Sequence, residues 1–222
     1  REYDQAFIMT VPSVQYQFLL RSGENVTIDN PHYYPDPASI EKSYEPFVKV
    51  SILLPERSMG AVMTLCLERR GVNTRFHYPT TKRIEITCEM PLAEIIYDFY
   101  DKLKTVTQGY GSFDYELIGY RESELVKLDI LVNGEKVDAL SLMVHRDRAR
   151  LRAVQICDRL KEEIHRQLFK IAIQGAIGGQ IIARSTITPF RKDVTAKCYG
   201  GDITRKRKLL EKQKMGKKRM KM

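Results

Sequence analysis

The chain has 222 residues, 43% hydrophobic and 29% charged, with no tryptophan, a composition that suits globular material of one or two domains with a real core. No run of about 18 uncharged apolar residues occurs and no apolar signal core opens the chain, so neither a membrane-spanning nor a visibly secreted protein is expected. The net charge of +9 is that of the last twenty residues, where Arg205, Lys206, Arg207, Lys208, Lys212, Lys214, Lys217, Lys218, Arg219 and Lys221 stand against Glu211. The preceding 202 residues are therefore neutral.

A segregated basic tail points to a polyanion, because Lys and Arg clusters bind nucleic acid by releasing counterions from its phosphates. A solvated solubility tail is the alternative. A membrane-surface helix fits least, since Leu209, Leu210, Met215, Met220 and Met222 include no aromatic anchor. Cys66, Cys88, Cys157 and Cys198 form no C-x-x-C pair; the first three fall on apolar-periodic faces, where buried free thiols in a reducing cytosol are expected and a zinc site is not. In that compartment the sequon Asn25-Val26-Thr27 is an accident of composition.

In chain order, residues 1–29 read as a helix end followed by short strands, with Val14, Tyr16 and Phe18 alternating and a turn at Ser22-Gly23-Glu24. Residues 30–46 hold Pro31, Pro35, Pro37 and Pro46, which marks a linker or strap. Val48, Val50, Ile52 and Leu54 then alternate as a strand, and Met59, Val62, Met63, Cys66 and Leu67 follow as a helical stripe that Gly71 stops. Phe76 and Tyr78 predict a short strand, and Ile84, Ile86, Cys88 and Met90 another. Leu92, Ile95, Ile96, Phe99 and Leu103 predict one helix after Pro91, and Phe113, Tyr115 and Leu117 a last strand. The order βαββαβ is that of a ferredoxin-like sandwich, with two helices on one face of an antiparallel sheet and the other face open to a partner.

A second α+β unit begins near Ser123. Val126, Leu128, Ile130 and Val132 alternate up to the hairpin signal Asn133-Gly134, and Leu140, Leu142 and Val144 alternate on the return. Ala153, Ile156, Cys157, Leu160 and Ile164 space as a helix face; Phe169, Ile171 and Ile173, then Ile181, Ile182 and Ala183, read as strands. Arg146, Arg148, Arg150 and Arg152 would share one face on a strand and scatter on a helix. They are either a second phosphate-facing surface or a solvated face partnered by Asp158, Glu162 and Glu163.

Three short motifs are set aside. His145-Arg146-Asp147 spells a kinase catalytic triplet, but Arg152 stands where the Asn should be and no D-F-G follows. Gly178-Gly179-Gln180 matches a release-factor tripeptide and reads as a turn. Gly109-Tyr110-Gly111-Ser112-Phe113 lies on the wrong strand for an RNA-recognition signature, so its aromatics are read as core. No G-x-x-x-x-G-K-[ST] occurs, so no nucleotide hydrolysis is assigned to this chain, and no catalytic or metal-ligating set stands out.

The run Ala196-Lys197-Cys198-Tyr199-Gly200-Gly201-Asp202-Ile203-Thr204-Arg205-Lys206-Arg207-Lys208-Leu209-Leu210 and its basic continuation closely resemble the LepA family, the back-translocating elongation factors. Leu65-Cys66-Leu67-Glu68-Arg69-Arg70-Gly71-Val72, Asn133-Gly134-Glu135-Lys136-Val137-Asp138-Ala139-Leu140, His145-Arg146-Asp147 and Ile181-Ile182-Ala183-Arg184-Ser185-Thr186 extend that resemblance over essentially the whole chain. It implies the end of a ferredoxin-like domain III at 1–29, a linker at 30–46 and an elongation factor G-like domain V at 47–120. A LepA-type α+β C-terminal domain at 121–202 and a basic RNA-binding tail at 203–222 complete the map.

The resemblance further implies a chain that is a C-terminal portion, non-catalytic alone, whose GTP and Mg belong to a missing N-terminal module. The expected partners are the large-subunit rRNA of the ribosome and the acceptor arm of the A-site tRNA, with no DNA, for a monomer acting in one-codon back-translocation and translational fidelity. The contact residues would be the ten tail cations with Arg146 and Arg148. The location would be cytoplasmic, with peripheral attachment to the cytoplasmic face of the inner membrane, and His145 would mark a strand-to-helix corner. The residues taken without the family leave one alternative, a stand-alone RNA-binding protein using the open sheet face of the ferredoxin-like domain.

Overall fold

A computed structural model describes residues 13–80, 82–190, 194–195 and 203–220. The expected helix end before Val14 and the residues Cys198 and Lys221 lie outside them. The chain divides into two compact units, 1–125 and 126–222.

In the first unit, β1 (Tyr16–Leu20) and β2 (Asn25–Ile28) form a hairpin whose turn uses Gly23 at φ +84°. β3 (Ile40–Pro55) begins inside the segment read as a linker and runs through Pro46. Its first residues pair with β1, so Phe18 and Tyr16 join the buried interior. The other elements are α1 (Met59–Glu68), β4 (Val72–Thr80), β5 (Arg83–Pro91), α2 (Leu92–Ile96), α3 (Phe99–Val106) and β6 (Ser112–Glu122). The antiparallel order β6-β3-β5-β4 is the ferredoxin-like one, as the alternating apolar positions predicted.

Val48, Val50, Ile52 and Leu54 of β3 and Ile84, Ile86, Cys88 and Met90 of β5 pack under the helices with Val62, Leu65, Cys66, Ile95, Phe99 and Leu103. Each fully buried aliphatic chain here contributes roughly 1.5–3 kcal/mol. The helical stripe differs from the expected one at one point, for Leu65 is buried and Leu67 is 64% exposed. Gly71 acts by close approach. The left-handed residue after α1 is Arg70 at φ 61°, while a Cβ on Gly71 would stand 2.8 Å from the Cys66 carbonyl oxygen.

The single helix expected after Pro91 is broken at Tyr97-Asp98. Arg69, almost wholly buried, reaches this break and pairs with Asp98 at 2.5 Å and Glu94 at 3.3 Å. Arg70 holds buried Glu45 at 2.6 Å. These pairs come from distant chain positions, so periodicity does not announce them.

The second unit places β7 (Leu125–Val132), whose first residue lies at the division, beside the short β8 (Glu135–Lys136) across the Asn133-Gly134 turn. The expected return strand is shortened at its start, where a 3-10 turn takes Asp138–Leu140, and Leu142 and Val144 lie on β9 (Leu142–His145), which pairs with β7. Asp129, a buried carboxylate, accepts from Lys136 at 2.8 Å and from the Ser141 hydroxyl, which ties the chain on both sides of that turn to β7. α4 (Arg146–Glu163) lies on β10 (Ile171–Ile177) and β11 (Gln180–Ile187), with Ala153 against Gly175, where a Cβ would come within 2.8 Å. α5 (Ile203–Arg219) is the basic tail.

Candidate nucleic-acid interface

The tail is a helix of 17 residues, none of them fully buried, with one half-covered side. Lys206, Leu209, Gln213, Gly216 and Lys217 are half-buried, and their three- and four-residue spacing defines one face. Leu209, Gly216 and Met220 meet Leu168, Phe190 and Val194 around an apolar cavity of about 350 Å³. The Lys217 ammonium donates to the Phe190 carbonyl at 2.6 Å, which fastens the helix at that end.

The remaining cations are exposed, and six of them fall on two ridges. Arg207, Lys214 and Lys218 recur at i, i+7 and i+11, and Lys208, Lys212 and Arg219 recur at i, i+4 and i+11, spacings that each follow one side of a helix. Glu211 pairs with Arg207 at 3.5 Å. Cations in the last turn, Lys217, Lys218 and Arg219, also suit the negative end of the helix. Sequence reading found these charges but not the half-covered side, whose signal was the spacing of Leu209, Gln213, Gly216 and Met220.

Arg146 and Arg148 sit in the first turn of α4 rather than on a strand. His145 precedes them as the N-cap, its Nδ1 accepting from the Asp147 N–H at 3.2 Å. The helix scatters the four arginines: Arg146 and Arg150 are exposed, whereas Arg148 and Arg152 are half-buried on another side. They do not form one phosphate-facing row with each other. Gly178 and Gly179, at φ 55° and 86°, make the exposed turn between β10 and β11, the geometry for which glycine is suited.

The open sheet face of the first unit has a different character. Register brings Lys49, Ser51, Arg75, His77, Glu85, Thr87, Glu89, Asp114 and Glu116 to it. Glu89 accepts from Arg121 at 2.6 Å and Asn73 at 2.7 Å, and these bonds, Arg121's first, hold its carboxyl below the usual value. Cations here are matched by carboxylates. The aromatics expected in the core at Tyr110 and Phe113 divide, for Tyr110 is 69% exposed beside Arg57 and Phe113 is half-buried against Phe99.

Two family models tile residues 42–222. Residues 42–131 match the elongation factor G C-terminus and residues 132–222 the C-terminus of the GTP-binding protein LepA. Proteins named elongation factor 4 align along the full chain, with 75% identity in Syntrophobacter fumaroxidans, 68% in Desulfotalea psychrophila and 58% in Treponema pallidum. The chain belongs to the LepA family.

It spans 37% of the length of these relatives, and both matching models describe C-termini. The LepA assignment agrees with the α+β architecture and the ferredoxin-like sheet. His145 ends β9 and caps α4, which is the strand-to-helix corner that the resemblance implied and no kinase loop. No helix among the described residues is long and apolar enough to cross a membrane.

Proposed function

We propose that this region is the RNA-contacting arm by which a LepA-type factor holds tRNA on the ribosome. The observation that carries the reading is α5, a helix with one half-covered side and two ridges of exposed cations turned to solvent. Being already helical, the arm loses little conformational entropy when phosphates order its side chains, and each contact gains from released counterions. The contacting residues are Arg205, Lys206, Arg207, Lys208, Lys212, Lys214, Lys218, Arg219 and Lys221, with Arg146 and Arg148 as a separate outlying set. Lys217 belongs to the same cluster but is engaged by Phe190.

The partners are large-subunit rRNA and the acceptor arm of the A-site tRNA, and the role is support of one-codon back-translocation and translational fidelity. GTP and Mg²⁺ serve the part of the relatives that this chain does not span. The map of domain III end, linker, domain V, C-terminal domain and tail at 1–29, 30–46, 47–120, 121–202 and 203–222 is part of the same proposal. So is a cytoplasmic location with peripheral inner-membrane attachment, which would draw on the same cations. The sheet-face alternative has weaker support, because the cations of that face are offset by Glu85, Glu89, Asp114 and Glu116.

Equilibrium binding to tRNA and to ribosomes across a salt series, for the whole chain and for one ending at Asp202, tests the reading. The whole chain should bind with a steep salt slope that disappears on truncation. Salt-insensitive binding that survives truncation would move the site onto the folded units and overturn it.

A further inference from the structure

The two edges of the ferredoxin-like sheet are built differently. On β4 the ladder with β5 shifts register between Val72 and Arg75 and again between His77 and Thr80, and Pro79 and Arg75 lie on the strand; bulges, proline and cations are devices that blunt an edge. On the opposite edge, β6 runs without a shift from Ser112 to Leu117, and among the described residues it pairs with β3 alone. Its segment Ser112-Phe113-Asp114-Tyr115-Glu116-Leu117-Ile118 has neither proline nor a cation.

The outward groups of β6 can be assigned. The Tyr115 N–H donates to the carboxylate of its own neighbour Asp114 at 2.9 Å, so it points away from β3. The two-residue period of a strand turns the backbone groups of Phe113 and Leu117 the same way. Side chains alternate along this edge. Phe113, Tyr115 and Leu117 lie on the helix-covered side, Tyr115 and Leu117 being 50% and 63% exposed, and Tyr100 extends the apolar strip beside Phe113. Asp114 and Glu116 lie on the other side.

We propose that β6 is a docking edge for an extended polypeptide segment of a partner protein whose residues alternate between apolar and basic. Such a segment adds as a further strand, its main chain meeting the outward groups of Phe113, Tyr115 and Leu117. Its apolar side chains cover Tyr115 and Leu117, and its cations face Asp114 and Glu116. Asp114 occupies the Tyr115 N–H until the strand arrives, then turns to the incoming cation. A second copy of this chain is a poor occupant, because β6 against β6 sets carboxylates opposite carboxylates.

The test is amide hydrogen exchange on the whole chain with three probes: a seven-residue peptide alternating lysine and valine, its glutamate-valine counterpart, and a single-stranded oligouridylate. The basic peptide should slow exchange at Phe113, Tyr115 and Leu117 by about tenfold or more, leave the amides of β4 unchanged, and lose its effect in Leu117→Lys. Leu117 is exposed, so this variant should keep the wild-type thermal midpoint. Equal protection by the acidic peptide, protection by the oligouridylate instead, protection at β4, or none at β6 would each overturn the proposal. Concentration-dependent protection without any probe would assign the edge to self-association and overturn it as well.

Discussion

In the first unit several cations stand beside carboxylates, Arg69 with Glu94 and Asp98, Arg70 with Glu45, and Arg121 with Glu89. Along α5, nine cations share Glu211. The same residue types therefore do different physical work in the two regions. Buried or half-buried pairs fix the ends of α1, β3 and the α2–α3 break, and a partner could take them only by breaking the fold. The exposed cations of α5 are solvated by water and keep their electrostatic capacity for another molecule.

Charge removal should break this comparison most visibly. Replacing Lys206, Arg207, Lys208, Lys212, Lys214 and Lys218 by Gln should lower the log–log salt slope of tRNA binding by roughly four to five, at about 0.7–0.9 per lost phosphate contact. Replacing Lys49, Arg75 and Arg121 of the sheet face by Gln should leave that slope unchanged. A reversed result would put the binding surface on the sheet.

Stability should sort the other way. Arg69→Ala leaves Glu94 and Asp98 facing a vacated buried site, and urea titration should register a loss of about 3 kcal/mol, the lower end for a broken buried pair because Asp98 is partly exposed. Lys42→Ala removes the exposed Lys42–Glu122 pair and should change stability by less than about 0.5 kcal/mol. Equal losses in both variants would mean that the Arg69 network holds the fold no better than a surface pair does.

Local patterning made the strands of the first unit legible, because Val48, Val50, Ile52 and Leu54 alternate against Ile84, Ile86, Cys88 and Met90 on one covered face. It also made the charge of α5 legible. What it missed depends on groups far apart in sequence. The α2–α3 break lies where Arg69 reaches Asp98, and β3 extends back to Ile40 because β1 offers it an edge. The arginines at spacing two were ambiguous between strand and helix until the His145 cap set the start of α4 at Arg146.

Acid titration should give the smallest effect and sharpen the comparison further. Burial alone would raise the Asp98 carboxyl, but Arg69 and Lys102 outweigh it and hold the group below its ordinary value of 3.8. A carboxyl depressed in the folded state adds stability that is fully present above its unfolded value and disappears as pH falls through the folded one. Between pH 7 and 5 stability should therefore be flat on this account, and below about pH 4 it should decline. The share of Asp98 should stay under about 1 kcal/mol, since the side chain is partly exposed and screened. Arg69→Ala removes the partner that holds the carboxyl down, so its acid decline should be shallower than that of the parent chain, whereas truncation at Asp202 should leave the decline unaltered. Parallel acid limbs for the parent and Arg69→Ala, followed by circular dichroism at fixed urea, would show that Asp98 is not linked to folding through Arg69.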